Sequence, residues 1–182
     1  MTQSDAWFVQ AASDYESAQR LLDREDPATY CQVIAKCQQT VEKGVKSVVA
    51  ALIEANELTL QIGYKHEAER FVSTLLRSSR KWDKGIQAEI EAWLAERWRG
   101  EIRAVDALVP KRPPPGQRPA RNTEYPFQDP DGSWHAPAAV GVFDIKDVER
   151  FLRLARHVYV GAAKIRSAIK RMYPPTEVHT GT

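Results

Sequence analysis

A chain of 182 residues, 43% of them hydrophobic, is long enough to bury a sizeable core, and it reads as one domain over residues 1–173 with a loose tail over 174–182. Its formal net charge is only +2, and no uncharged apolar run approaches the ~20 residues of a membrane span. The N-terminus lacks the basic, apolar and small-residue order of a secretion signal, so a cytoplasmic location and no membrane partner are the expectation. Charge is unevenly placed: residues 1–30 hold six acidic and two basic side chains, whereas 145–172 hold eight basic and two acidic ones. A concentrated basic segment suits an anionic partner such as RNA or a nucleotide. Cys31 and Cys37 point to different sides of one helical pattern, so they read as reduced thiols.

The first helical pattern runs over 4–24, with Ser4 as N-cap and Trp7, Ala11, Tyr15, Ala18 and Leu22 at helical steps. Asp26-Pro27 supplies a cap and a first-turn proline for a second helix over 27–55. Cys31, Ile34, Ala35, Gln38, Val41, Val45, Val48, Val49 and Leu52 form its apolar stripe. Gly63 breaks the pattern, and His66 to Leu76 is a short helix with Phe71, Leu75 and Leu76 inward. From Trp82 to Leu108 a single helical run places Ile86, Ile90, Leu94, Ile102 and Val105 on one stripe and ends at Pro110. Trp82, Trp93 and Trp98 read as core or dimer-interface anchors. Residues 110–143 have no sustained period and hold most of the chain's 11 prolines, which predicts a long loop whose aromatic second half packs back on the bundle. Asp144 and Asp147 open a final helix that runs to about Tyr173, where Pro174-Pro175 stops it. The class is therefore all-α, an up-and-down bundle of four to five helices.

The second helix carries polar residues on or beside its buried stripe: Gln38, Gln39, Glu42 and Lys46. Buried polar groups need partners, and Asp14 on the first helix is the candidate, with Lys46 its counter-charge. Asp14, Gln38, Glu42 and Lys46 are read as a structural network that fixes helix register rather than as a ligand site.

These same residues carry a family resemblance. Trp7, Ala11, Asp14, Ala18 and Leu21, followed by Tyr30, Ala35, Gln38-Gln39, Glu42-Lys43 and Lys46, resemble the N-terminal half of the HEPN family, named from higher eukaryotes and prokaryotic nucleotide-binding proteins. Arg121-Asn122-Thr123-Glu124-Tyr125-Pro126 is similar to the arginine, tyrosine and proline turn that many such sequences carry before their last helix. The likeness covers residues 5–55 and 121–170, leaving 77–120 as an elongated helix or insertion. It implies a helical bundle that commonly dimerises, ligands among RNA and nucleotides, a prokaryotic defence or toxin–antitoxin setting, and a nucleotidyltransferase or other operon-encoded protein as partner.

Catalytic members are similar in being metal-independent ribonucleases that pair an arginine with a histidine a few residues on. Arginine stabilises charge on the phosphate while histidine moves a proton near neutral pH. Arg121-Asn122 opens such a pattern, but no histidine follows until His135. A second match, Arg150 and His157 with Tyr159 completing a His-x-Tyr ending, lies in the last helix. Seven steps of about 100° return to within about 20° of the start, so Arg150 and His157 share a face. Lys146, Arg153, Lys164 and Arg171 fall on that side, which reads either as a solvated basic surface or as a phosphate-binding one. Arg121, Asn122, Tyr125 and Trp134 read either as a loop plugging the bundle or as a pocket where Arg121 and Asn122 meet a phosphate and an aromatic ring stacks on a base. No zinc-ligand spacing, Walker loop, GxGxxG or nucleophile elbow is present, so no cofactor or metal is expected. The favoured reading is a non-catalytic protein that binds RNA, a nucleotide or a partner; the alternative is an endoribonuclease toxin using Arg150 and His157 across a dimer interface.

Overall fold

The computed structural model describes residues 1–63, 68–109, 121–128, 131–139 and 141–174. Six α-helices carry the fold: α1 (Gln3–Leu22), α2 (Tyr30–Glu54), α3 (Ala68–Ser78), α4 (Lys84–Trp93), α5 (Glu96–Asp106) and α6 (Ile145–Met172). Between α5 and α6, β1 (Phe127–Gln128) and β2 (Trp134–His135) pair antiparallel, with Phe127 opposite His135 and Gln128 opposite Trp134. Among the described residues the protein is all-α apart from this two-residue ribbon.

α2 lies at the centre, because its sequence leaves almost no face fit for water. Val33, Ile34, Cys37, Val41, Val45, Val48, Val49 and Leu52 are all fully enclosed, and α1, α3, α5 and α6 pack around them. Ser4 donates its backbone N–H to Glu54, and Asp14 meets Lys36 and Lys43, so α1 runs antiparallel to α2. Tyr159 of α6 stacks on Phe8 and Tyr15, while Arg166 reaches Ser4 and Asp5, so α1 is antiparallel to α6 as well. α2 and α6 are therefore parallel neighbours. Gly44 sits at their contact, where an added Cβ would come 3.0 Å from Val158 Cγ1.

Helix ends follow local chemistry, with one correction. Thr2, not Ser4, caps α1 by accepting from the Asp5 N–H; Ser4 is buried inside the first turn. Asp26 caps a 3-10 turn over Pro27–Thr29 that leads into α2, and Asp144 caps α6 by accepting from Asp147 N–H. Asp106 accepts from Glu69 N–H at the start of α3. Phe71 and Leu75 of α3 are buried as the pattern requires; His66 lies outside the described residues. Residues 110–120 and 175–182 lie outside them too, and with them the Pro110 stop and the loose tail.

The expected single helix over 82–108 is two, which raises the helix count from the expected four or five to six. Leu94 (φ −101°, ψ 32°) and Ala95 (φ −54°, ψ 154°) leave the helical region between α4 and α5. The cause is one of phase. At about 100° per residue, Trp98, Ile102 and Val105 would point about 120° away from Ile86, Ile90 and Trp93 on a continuous helix. Breaking the chain lets both sets face the core, and both halves still run antiparallel along α6.

The polar residues of α2 do not form the expected single network. Asp14, nearly inaccessible, is held by Lys36 Nζ at 2.9 Å and by Lys43 Nζ, not by Lys46. Lys46, 0% exposed, donates to Glu42 Oε1 at 2.5 Å one turn back and lies over the rings of Trp7 (4.8 Å) and Phe71 (5.8 Å). Gln38 Nε2 donates to the Val105 carbonyl at 3.0 Å, at the end of α5. Each buried polar group thus finds a partner on a different neighbouring helix or on its own. Cys31 and Cys37 are free and buried, and burial pushes the Cys37 thiol up to about 12.

Removing Lys46 takes a buried cation from beside the enclosed Glu42 carboxylate, so Lys46→Ala should destabilise the fold by about 3–5 kcal/mol. Lys43→Ala should cost less, because Lys36 still neutralises Asp14. Urea denaturation of the two variants beside the parent compares them directly.

Candidate functional site

Half of the eight cations of α6 are tied to carboxylates of other helices. Arg150 Nε donates to Glu101 Oε2 of α5 at 2.6 Å, and Lys164 pairs with Glu89 of α4 at 2.7 Å. Arg166 and Lys170 both reach Asp5 of α1, at 2.5 and 2.7 Å. The hydrogen bond from Lys170 is the main reason that the Asp5 carboxyl is held down at about 2. Asp5, at the acidic start of the chain, thus takes up two cations of the basic last helix.

Three of the candidate residues of α6 nevertheless border one groove. Between α4–α5 and α6 lies an open groove of about 560 Å³. Trp93, Trp98, Val160, Gly161 and Ile165 form its apolar surface, and Arg153, Arg156 and Lys164 stand around it with Glu89. Arg156 has no carboxylate partner among the described residues, and the Arg153–Glu149 pair is long at 3.8 Å and exposed. Val160 is 56% exposed, an apolar side chain open to water on the same surface.

Two contacts build the groove. The first is a close approach of α4 to α6: the Trp93 ring lies directly over Gly161, where an added Cβ would fall 2.1 Å from Trp93 Cδ1. Trp93 Nε1 is buried there without an acceptor among the described residues. The second is His157, whose Nε2 lies 2.7 Å from the carbonyl oxygen of Trp93. A carbonyl only accepts, so Nε2 carries the proton and donates, satisfying a carbonyl left open at the C-terminal end of α4. The His157 ring stacks on Trp98, centroids 3.9 Å apart and 11° from parallel. Burial, reinforced by the charge of Arg97 against the hydrogen bond to Trp93, lowers the His157 pKa below its ordinary 6.5. The imidazole is thus neutral at neutral pH.

The proposed catalytic trio does not share a site. Arg150 is turned to Glu101 and lies over Phe151, outside the groove. Tyr159 is on the opposite flank of α6, stacked between Phe8 and Tyr15 at 5.1 and 5.5 Å. Two positions along a helix differ by about 200°, and that angle places Tyr159 against α1 when His157 faces α5.

The loop residues are mostly committed to building the loop. Arg121 donates to the Val142 carbonyl and, at 2.7 Å, to Asp147 Oδ2, with its guanidinium over the Phe143 ring at 4.2 Å. It ties the loop to the first turn of α6. Asn122 is buried, and its Oδ1 accepts from the N–H groups of Glu124 and Tyr125 at 2.9 and 2.7 Å. Such a side-chain turn is a common use of asparagine. Phe143 joins the core and Phe127 is buried against His135, whereas Tyr125 and Trp134 stand exposed. Of the sequence candidates, then, His157, Arg153 and Lys164 come together in the groove, while Arg121, Asn122, Tyr125 and Trp134 belong to the loop.

Trp93, Trp98, Arg156 and Gly161 are groove residues that periodicity did not single out as a site. A glycine among α6's apolar positions, with tryptophans on a preceding helix, was the available signal for a close crossing. Among the described residues no cluster of three His, Cys, Asp or Glu side chains is placed to hold a metal ion, and no helix is long and apolar enough to cross a membrane. Comparison of the chain with protein-family models, with curated proteins and with solved structures found no match.

Two outcomes follow from this geometry. Gly161→Ala forces Trp93 out of its place and should destabilise by about 1–3 kcal/mol, more than the gain of about 1 kcal/mol in helix propensity; Gly44→Ala, which meets only a valine methyl, should be close to neutral in the same urea titration. His157 binds protons less readily folded than unfolded, so the stability of its neutral ring is fully present above pH 6.5 and lost as pH falls through its lower folded value. An NMR titration of the ring should give a midpoint below 6.5; a midpoint at or above it would contradict the enclosed, neutral imidazole.

Proposed function

We propose that the chain is a HEPN-type helical protein that binds a nucleotide or a short segment of RNA in the groove between α4–α5 and α6, without cutting it. The observation that carries this reading is the groove's composition: an aromatic and apolar surface, with the stacked Trp98 and His157 rings, edged by Arg153 and Arg156. A nucleobase is planar and apolar on its faces, and a phosphate is anionic, so one ligand would satisfy both parts of the groove.

Cleavage is the weaker reading because its chemistry is scattered. A phosphate in the groove would not meet Arg150, which Glu101 holds, nor Tyr159 across the helix. His157 uses Nε2 on the Trp93 carbonyl, which favours a positioning and stacking role. The Asp14, Gln38, Glu42 and Lys46 positions that carry the family resemblance serve the bundle interior and not this groove.

Tryptophan fluorescence during titration with adenosine monophosphate and with a short adenylate oligonucleotide tests the proposal. Saturable quenching is expected, with affinity reduced roughly 10- to 30-fold in an Arg153→Ala, Arg156→Ala variant, as two charge-assisted contacts of about 1 kcal/mol each would give. RNA incubated with the protein in EDTA should stay intact. Absence of any saturable signal overturns the binding site, and cleavage that disappears in an Arg150→Ala, His157→Ala variant replaces it with the ribonuclease reading.

A further inference from the structure

A second recess, of about 420 Å³, lies between α3 and α5 and shares no lining residue with the groove. Val72, Leu76 and Ile102 give it an apolar floor. Three arginines line its edge: Arg77 from the last turn of α3, and Arg99 and Arg103 one turn apart on α5. Like charges at i and i+4 on a helix repel, and a third guanidinium facing them from another helix adds to that cost.

The protein's own carboxylates only partly offset this cluster. Arg103 Nε pairs with Glu69 Oε1 at 2.8 Å, and Arg99 pairs with Glu96, a largely exposed residue outside the recess. Arg77 has no carboxylate partner among the described residues; its Nε donates only to the Ser73 carbonyl of its own helix, at 3.3 Å. Arg99 Nε is shielded from solvent and has no acceptor among them. A shielded donor on a charged group without an acceptor is costly, and an anion is what would satisfy it. With Glu69 on Arg103 and Glu96 on Arg99, the three arginines keep one positive charge without a carboxylate, that of Arg77.

We propose that this recess is a binding site for a small phosphomonoester carrying a compact apolar group. The anion meets the charge of Arg77 and the unmet Arg99 Nε, and its three terminal oxygens suit the forked geometry of several guanidiniums. A carboxylate brings only two oxygens, one acceptor fewer for the three guanidiniums. The apolar portion of the ligand covers Val72, Leu76 and Ile102. The groove reading involves none of these residues, and the proposal stands whether or not the groove takes a nucleotide.

Calorimetric titration of the full chain with phenyl phosphate tests it, with benzoate and phenol run alongside. One saturable site is expected for phenyl phosphate, at least about tenfold weaker binding for benzoate, and none for phenol. An Arg77→Gln, Arg99→Gln variant should weaken phenyl phosphate more than about tenfold, whereas Arg153→Ala, Arg156→Ala should leave it unchanged. Circular dichroism establishes that each variant is folded; should the double variant not fold, Arg77→Gln alone, followed by the phosphorus-31 line width of phenyl phosphate, gives the same comparison. No saturable binding, binding unaltered by loss of Arg77 and Arg99, or loss of binding in the groove variant instead overturns the proposal. Benzoate binding as tightly as phenyl phosphate overturns the phosphomonoester assignment.

Discussion

Everything in this protein depends on burying α2 from every side. A helix that presents Val33, Ile34, Val41, Val45, Val48 and Val49 around its circumference cannot lie on a surface; it must be surrounded. The cost falls on its polar residues. Lys46 is the extreme case, a side chain with no exposure that donates to Glu42 one turn away and lies over the faces of Trp7 and Phe71. Breaking one partner of such a pair leaves a bare charge in a poorly polarisable interior, and that asymmetry makes the pair matter more than its net contribution would suggest. Gln38 and Asp14 solve the same problem by reaching α5 and by drawing in two lysines.

The same logic governs α6. Eight basic residues in one helix read as an open phosphate-binding surface until their partners are known. Glu101, Glu89 and Asp5, supplied by three other helices, take up Arg150, Lys164, Arg166 and Lys170. Of the four that remain, Arg153 and Arg156 stand beside an aromatic surface. Internal neutralisation thus converts a diffuse electrostatic feature into a local one.

The groove itself is a product of a helix that could not stay continuous. Re-phasing the chain at Leu94–Ala95 turns Trp93 onto Gly161 and Trp98 onto His157, and it leaves a carbonyl that His157 satisfies. Structural and functional roles are therefore hard to separate at His157, which at once caps α4 and forms part of the groove wall. The arginine recess between α3 and α5 follows from the second half of the same broken helix, since Arg99 and Arg103 face α3 in the phase that the break sets.

The sequence by itself determined the helical class, the extents of the first two helices and the last one, the caps at Asp26 and Asp144, and the burial of the α2 stripe. These are local properties, written in periods of three and four residues and in the chemistry of single caps. The polar positions Asp14, Gln38, Glu42 and Lys46 were legible as buried too, but not their partners, because a lysine's long side chain can reach any of several carboxylates and spacing does not rank them. Only the tertiary structure decided that Lys46 pairs within its own helix, that Arg121 and Asn122 build a turn, and that Tyr159 faces α1 while Arg150 and His157 meet separate residues of α4 and α5. Helical spacing says which residues share a face, whereas what stands opposite that face is set by helices distant in the chain. That is why the positions of candidate residues could be read in advance and their chemistry could not.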